Sequence, residues 1–182
     1  MPVKESHALN PVNFYGLSKK YQTELALSYF RKSIDVIVAR IFNITGYGSP
    51  RSLSCGEFSY QLSLIERNKA RPFMEVRDLT SKRDYVDIKD VCSALVALAE
   101  NGKRGEVYNV CSSEAYSTRH ILNFLIRISG LKGVKVKTSS RVSSEIRSIR
   151  GSNDKIRRHT GWKPLVSIEE SLKETFNYYR KA

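Results

Sequence analysis

The sequence predicts an α/β protein, and three observations support that class. Patterns typical of helices and of strands alternate along the whole chain of 182 residues. The stretch IDVIVARIF, residues 34–42, is β-branched and nearly all apolar, as strands covered on both faces are. No repeat, low-complexity tract or linker interrupts the chain, so we expect residues 1–182 to form a single unit.

Local signals define the elements of the first half. We expect a helix from Tyr15 to about Arg31, because apolar residues recur there at helical spacing. After the strand of residues 34–42, the sequence NITGYGSP predicts a loop by its Gly, Asn and Pro content. Ser54 and Glu57 match the capping-box pattern, so we expect them to start the next helix.

The second half shows the same alternation. Its predicted elements are short strands near Pro72 and Arg83, a helix from Val91 to Gly102, a strand at 107–110, a helix from Ile121 to Gly130, an edge strand from Val134, and a last helix with a capping box at Ser167 and Glu170. Only residues 34–42 and 107–110 resemble buried strands of a parallel sheet. Two strands are few for so many helices, so we expect part of a larger sheet to be missing.

Composition and charge limit the class of protein further. The formal net charge is +13, but the basic residues are spread out and lack the aromatic-rich clusters of RNA-binding modules. We therefore expect an anionic small molecule or a solvated basic surface rather than nucleic acid. The three cysteines and three histidines show no metal-binding spacing, so we expect no metal and a reduced, cytoplasmic protein. No membrane span or signal peptide is predicted.

The stretch NPVNFYGLSKKYQTE contains a tyrosine four residues before a lysine. On a helix, Tyr15 and Lys19 lie on one face. A free tyrosine has a pKa of about 10, and a neighbouring ammonium lowers it. Such a pair can exchange a proton with a substrate oxygen while hydride moves at the adjacent carbon. The spacing alone is weak evidence, because Tyr85 and Lys89 repeat it; a packed tyrosine and a solvated lysine are the alternative.

Five stretches, in order, resemble motifs of the extended short-chain dehydrogenase/reductase family, which comprises nucleotide-sugar epimerases, dehydratases and reductases. They are PVNFYGLSKKYQTE, VARIFNITGYGSP, KRDYVDIKDVCSAL, GEVYNVCSS and GSNDKIRRHTGWKPLVSIEESL, and they span nearly all of the chain. The second and fourth are most similar to GDP-4-dehydro-6-deoxy-D-mannose reductases. The resemblance implies the C-terminal part of a Rossmann fold with its active-site helix in residues 1–50. Residues 51–182 would form mainly a small α/β substrate-binding lobe, with a strand returning to the sheet at 107–110.

The resemblance also implies a function and roles for particular residues. The chain would belong to an enzyme that reduces the C4 keto group of a GDP-4-keto-6-deoxyhexose with NAD(P)H; an epimerase, a dehydratase or an inactive remnant are the alternatives. Tyr15 would protonate the C4 oxygen, Lys19 would hold the nicotinamide ribose, and both would line the cofactor. Asn43 would contact the sugar or a phosphate. Arg83 would neutralise the diphosphate, and Arg141 would be a second phosphate contact.

The family's Gly-rich turn, which receives the cofactor diphosphate at a helix N-terminus, has no match among the ten glycines. We therefore expect this chain alone to bind NAD(P)H very weakly. It would be a portion of a longer reductase, a subunit completed by a partner chain that carries the Rossmann half, or a remnant. The family also implies a homodimer through the helix that carries Tyr15.

Overall fold

The computed structural model describes residues 1–32, 34–138 and 147–182. The elements in chain order are α1 (Phe14–Phe30), β1 (Val38–Ile41), β2 (Asn43–Thr45), α2 (Ser54–Glu66), β3 (Phe73–Val76), β4 (Lys82–Asp87), α3 (Ile88–Asn101), β5 (Val107–Val110), β6 (Ala115–Ser117), α4 (Thr118–Ser129), β7 (Lys135–Thr138), α5 (Asp154–Thr160) and α6 (Ile168–Lys181). Helices and strands alternate, and the predicted α/β class is confirmed.

The strands form three small sheets among the described residues. β1 pairs with β5 in parallel, β4 lies between parallel β2 and antiparallel β6, and β3 pairs with β7 in parallel. The single strand predicted at 34–42 is therefore wrong in its bounds. Phe42 separates two strands that pair with different partners. Its N–H still bonds the Val110 carbonyl of β5 at 3.0 Å, and β2, which follows, pairs with β4 instead.

Two apolar cores hold these sheets and the helices together. The first joins β3 with α2, α4 and α6, and the second joins β4 and β5 with α3 and α5. Trp162 packs in the second core, where its indole Nε1 donates to Ser93 Oγ at 2.9 Å. Among the described residues, no helix is both long enough and apolar enough to cross a membrane.

Helix α1 differs from the other helices because none of its side chains is buried. It contacts β1, but the apolar stripe that predicts the helix lies largely in the open: Tyr21 is 59% and Leu25 is 60% exposed. The helix itself is confirmed within one residue of the predicted bounds. The helix therefore lies against the rest of the structure without burying any of its side chains.

The two predicted capping boxes have opposite outcomes. At α6 the Ser167 hydroxyl accepts from the Glu170 N–H, and the Glu170 carboxylate accepts from the Ser167 N–H, so this prediction is confirmed. At α2 the prediction is wrong, because extended Leu53 occupies the cap position and Ser54 is already helical. The Glu57 carboxylate forms an ion pair with Arg51 instead.

Candidate active site

Helix α1 presents Tyr15 and Lys19 together near its N-terminus. Asn13, a residue type preferred at N-caps, accepts from the Gly16 N–H at 2.8 Å and fixes where the helix begins. The Lys19 Nζ lies 5.7 Å from the centroid of the Tyr15 ring and donates to Gln22 Oε1 at 3.0 Å. The Tyr15 side chain is 72% exposed, so the pair can meet a ligand laid across the first turns of α1.

Four side chains line one face of the β2–β4–β6 sheet. Asn43 in β2 pairs in register with Tyr85 in β4, and Arg83, two residues earlier in β4, pairs with Tyr116 in β6. Paired residues share a face of a sheet, and so do residues two apart in a strand. Asn43, Tyr85, Arg83 and Tyr116 therefore form one row, in which the two predicted contacts Asn43 and Arg83 are diagonal neighbours.

The row combines one cation with neutral hydrogen-bonding groups. Arg83 is half-buried, and its Nη1 donates to the Lys82 carbonyl at 2.8 Å. Burial raises the pKa of Tyr85 and of Tyr116 well above the ordinary tyrosine value, so both phenols keep their protons near neutral pH. Tyr116 donates a short hydrogen bond to Glu114. Both tyrosine rings pack against the first core, so Arg83 is the group of the row whose planar donors suit a diphosphate.

The carboxamide of Asn43 is held in a defined orientation. Its Nδ2 donates to the Asp84 carbonyl oxygen at 3.0 Å, and only the NH₂ side of an amide can donate to a carbonyl. Asn43 is exposed, so the acceptor Oδ1 and the second amide hydrogen stay available to a ligand. This arrangement fits recognition of a sugar hydroxyl.

A buried carboxylate lies beneath the row. Asp84 is fully buried and accepts from the Ser112 N–H at 2.9 Å, the Ser112 hydroxyl at 2.7 Å, the Ser113 N–H at 3.1 Å and the Gly151 N–H at 3.0 Å. Burial raises the pKa of Asp84, and these four donors oppose that rise. The residue therefore ties the strand that carries Arg83 to the loop after β5 and to the segment before α5.

The second tyrosine–lysine pair does not share a helix. Tyr85 lies in β4, whereas Lys89 lies in α3, where its ammonium bonds the Glu174 carboxylate. Asp87 separates the two elements and caps α3 by accepting from the Lys89 N–H at 2.8 Å. Their spacing matches the motif only by coincidence.

The structure thus brings the predicted residues together as two groups, Tyr15 with Lys19 and Asn43 with Arg83. Arg141 lies outside the described residues. Sequence reasoning did not place Tyr85 or Tyr116 beside Asn43 and Arg83. The alternation of KRDYVD places Tyr85 on the face of Arg83, but only the register between β4 and β6 could have revealed Tyr116.

Thiols and metal ligands contribute little to either group. Burial raises the pKa of Cys55 to about 11 and that of Cys111 to about 12, so both are protonated near neutral pH. Within the part of the chain that the structure describes, no three histidine, cysteine or acidic side chains are close enough to hold a metal ion.

Comparison with known proteins defines the class. The model of the GDP-mannose 4,6 dehydratase family matches residues 1–175, so the chain belongs to this family. The resemblance to nucleotide-sugar epimerases, dehydratases and reductases is thereby confirmed. The enzymes of these three kinds depend on NAD(P) and share the extended short-chain dehydrogenase/reductase fold.

Individual relatives of the chain are enzymes with a named nucleotide-sugar substrate or product. GDP-6-deoxy-D-mannose reductase of Pseudomonas aeruginosa is 32% identical over 175 residues, which are 95% of this chain and 58% of that protein. A putative UDP-glucose 4-epimerase of Methanocaldococcus jannaschii is 26% identical over 181 residues, covering 99% of this chain and 57% of that one. The chain therefore spans less than two thirds of the length of these relatives.

Solved structures share the fold. RMD of Pseudomonas aeruginosa, in complex with NADPH, matches with a TM-score of 0.95 at 30% identity, over 100% of this chain and 61% of that chain. A dTDP-glucose 4,6-dehydratase of Bacillus anthracis, in complex with NAD, matches with a TM-score of 0.88 at 22% identity, over 100% of this chain and 56% of that one. The prediction that the chain forms part of an extended Rossmann-type fold is confirmed.

Among the described residues, Tyr15 and Lys19 offer groups of the kind that contact a nicotinamide cofactor. The exposed phenol and the ammonium beside it offer a hydroxyl and a cation on the same open face of α1. Together they suit a ribose hydroxyl and the reacting end of such a cofactor.

Proposed function

We propose that this chain binds a GDP-linked sugar on the Asn43–Arg83 face of the β2–β4–β6 sheet and serves in the reduction of the C4 keto group of a GDP-4-keto-6-deoxyhexose. The observation that carries the proposal is the strand register, which makes Asn43 and Arg83 diagonal neighbours on one face. The GDP-6-deoxy-D-mannose reductase that is 32% identical supports the choice of a guanosine diphosphate sugar and of a reductase.

Different residues are proposed to contact different parts of the ligand. Arg83, on the central strand of its sheet, pairs its guanidinium with the diphosphate, because planar donors match phosphate oxygens. Asn43 offers its free Oδ1 to a sugar hydroxyl. Arg141 is proposed as a second phosphate contact.

Proton transfer is proposed for the pair on α1. Tyr15 gives its hydroxyl proton to the C4 oxygen, and Lys19 favours the phenolate that results and holds the cofactor ribose. NAD(P)H, when bound, supplies the hydride that reduces C4. The keto group thus gains one hydride and one proton and becomes an alcohol.

Asn43→Ala should weaken the binding of GDP-mannose about three- to tenfold and leave that of GDP unchanged, because it removes one neutral hydrogen bond to the sugar. Titration calorimetry with both ligands measures this. Asn123→Ala, an exposed asparagine on α4, is the matched control and should bind as the unmodified chain does. Equal loss for GDP and GDP-mannose would move the Asn43 contact from the sugar to a phosphate.

Tyr15→Phe should lower kcat for reduction of a GDP-4-keto-6-deoxyhexose by about 100- to 10,000-fold, because the ring stays and only the proton donor is removed. The rate of NADPH consumption, measured with the chain completed by a Rossmann half that carries the Gly-rich turn, reports this, and KM should change little. Tyr21→Phe alters another exposed tyrosine of the same helix and should keep the full rate. If Tyr15→Phe kept that rate as well, the assignment of the proton donor would be wrong.

A further inference from the structure

Helix α6 carries a stripe of three buried hydroxyl groups beside its apolar face. Ser171, Thr175 and Tyr179 are four residues apart in turn, so they lie one above another on the helix. They are 1%, 0% and 8% exposed. Buried hydroxyls cost free energy unless they are hydrogen-bonded, so a helix that only filled a core would carry apolar residues at these positions.

Two hydroxyls of the stripe bond to the loop after β2, and the third bonds to the last residue of β4. Tyr179 donates to the Ser49 carbonyl at 2.8 Å, and burial raises the pKa of Tyr179, which keeps it a donor. The Thr175 hydroxyl lies 2.8 Å from the Gly46 carbonyl and shares its hydrogen with the Ser171 carbonyl of its own helix. The Ser171 hydroxyl donates a short bond to the Asp87 carboxylate.

The loop between Gly46 and Ser49 has a conformation that needs such support. Gly46 has φ +116° and Gly48 has φ +75°, both in the region that favours glycine. A Cβ on Gly46 would come within 2.6 Å of the Asp87 carboxylate, so the loop packs directly on the end of β4. The Ser49 N–H closes the turn on the Gly46 carbonyl at 3.1 Å.

The position of this loop connects it with the ligand-binding row. The loop leaves β2 two residues after Asn43, and Asp87 ends the strand that carries Arg83, in register with Thr45. The stripe therefore holds the chain at the carboxyl ends of β2 and β4, and its effect reaches Asn43 and Arg83, near the amino ends of the same two short strands, through the strands themselves. Tyr47 at the tip of the loop is 66% exposed, and its ring packs edge-on against Tyr178 of α6 at 5.0 Å.

We propose that Ser171, Thr175 and Tyr179 of α6 are positioning residues that hold the Gly46–Ser49 loop in its ligand-binding conformation and thereby fix the spacing of Asn43 and Arg83; the ligand in this inference is the GDP-sugar of the proposed function.

The test uses the full 182-residue chain and two readouts. Tyr179→Phe and the double variant Thr175→Val/Tyr179→Phe remove hydroxyls but keep side-chain volume. Amide hydrogen exchange should become about tenfold faster in the loop of residues 46–49, as expected for the loss of one buried hydrogen bond, and unchanged in α4. The dissociation constant for GDP-mannose should rise about three- to tenfold.

Matched variants separate positioning from general destabilisation. Tyr178→Phe keeps the ring on Tyr47 and should change neither readout, and replacing Val by Ser at position 175 of the double variant should restore part of both. Unchanged loop exchange in the double variant would overturn the inference, and so would faster exchange with unchanged affinity. If the unmodified chain did not bind GDP-mannose, the proposed function would fall, and the exchange result would still decide whether the hydroxyls hold the loop.

Discussion

Arg83→Ala lowers the affinity of the chain for GDP by about 10- to 100-fold, because it removes charge-assisted hydrogen bonds to the diphosphate. Arg83 is well placed for such an effect. It lies on the central strand of its sheet, paired with β6 on one side, and half-buried, so little ordering is needed when the anion binds. Titration calorimetry at constant ionic strength measures the change.

Two variants sharpen this prediction. Lys82→Ala removes an equal charge one residue away, on the other face of the same strand, and should lower GDP affinity by less than about threefold through the general field alone. Arg83→Lys keeps the charge but loses the planar fork, so its affinity should fall between those of the unmodified chain and Arg83→Ala. Equal affinities for Arg83→Ala and Lys82→Ala would mean that the anion binds elsewhere.

Asp84→Ala lowers the free energy of unfolding by about 3–5 kcal/mol, a large part of the stability of a typical domain. The carboxylate is the acceptor for the N–H groups of Ser112, Ser113 and Gly151 and for the Ser112 hydroxyl. Its removal leaves one buried and two partly buried backbone donors without their acceptor, and a buried donor left in this way costs about 1–3 kcal/mol unless it rearranges.

Urea unfolding followed by the fluorescence of Trp162, which is buried in the second core, measures this loss. Asp35→Ala is the control, because Asp35 is an exposed acid in an ion pair with Arg104 at 2.9 Å and should cost less than about 1 kcal/mol. Asp84→Asn should also destabilise, since its NH₂ group would face donors. If Asp84→Ala cost no more than Asp35→Ala, the junction would not depend on this carboxylate.

Local patterns in the sequence predicted the local parts of the structure. The spacing of Tyr15 and Lys19 places them on one helix face, and it does so in the structure because one helix contains both. The same spacing between Tyr85 and Lys89 does not, since a strand ends between them. A spacing therefore predicts a shared face only where the type of element is also known.

The capping-box pattern likewise predicts the start of a helix only where the preceding chain allows it. Ser54 fits the pattern as well as Ser167 does, yet the turn that closes between the Leu53 N–H and the Pro50 carbonyl at 3.0 Å brings Leu53 into the cap position. Arg51 then holds the Glu57 carboxylate at 3.2 Å. The path of the chain before the helix therefore determines which residue occupies the cap position. A capping-box pattern of four residues carries no information about that path.

Pairing between distant strands was beyond the sequence patterns. The split of residues 34–42 at Phe42 arises because β5 and β4, far along the chain, offer successive partners. The row that joins Asn43 to Tyr116 depends on two such registers. The motif resemblance supplied Asn43 and Arg83 individually, and the register of the sheet shows that they share a face.

The central claim is that the Asn43–Arg83 face binds a GDP-linked sugar, and its most direct test is calorimetric titration of the unmodified chain with GDP-mannose and with UDP-glucose under identical conditions. We predict saturable binding of GDP-mannose with at least about tenfold preference over UDP-glucose, a difference of about 1.4 kcal/mol. Equal affinity for the two ligands, or binding of neither, would contradict the claim.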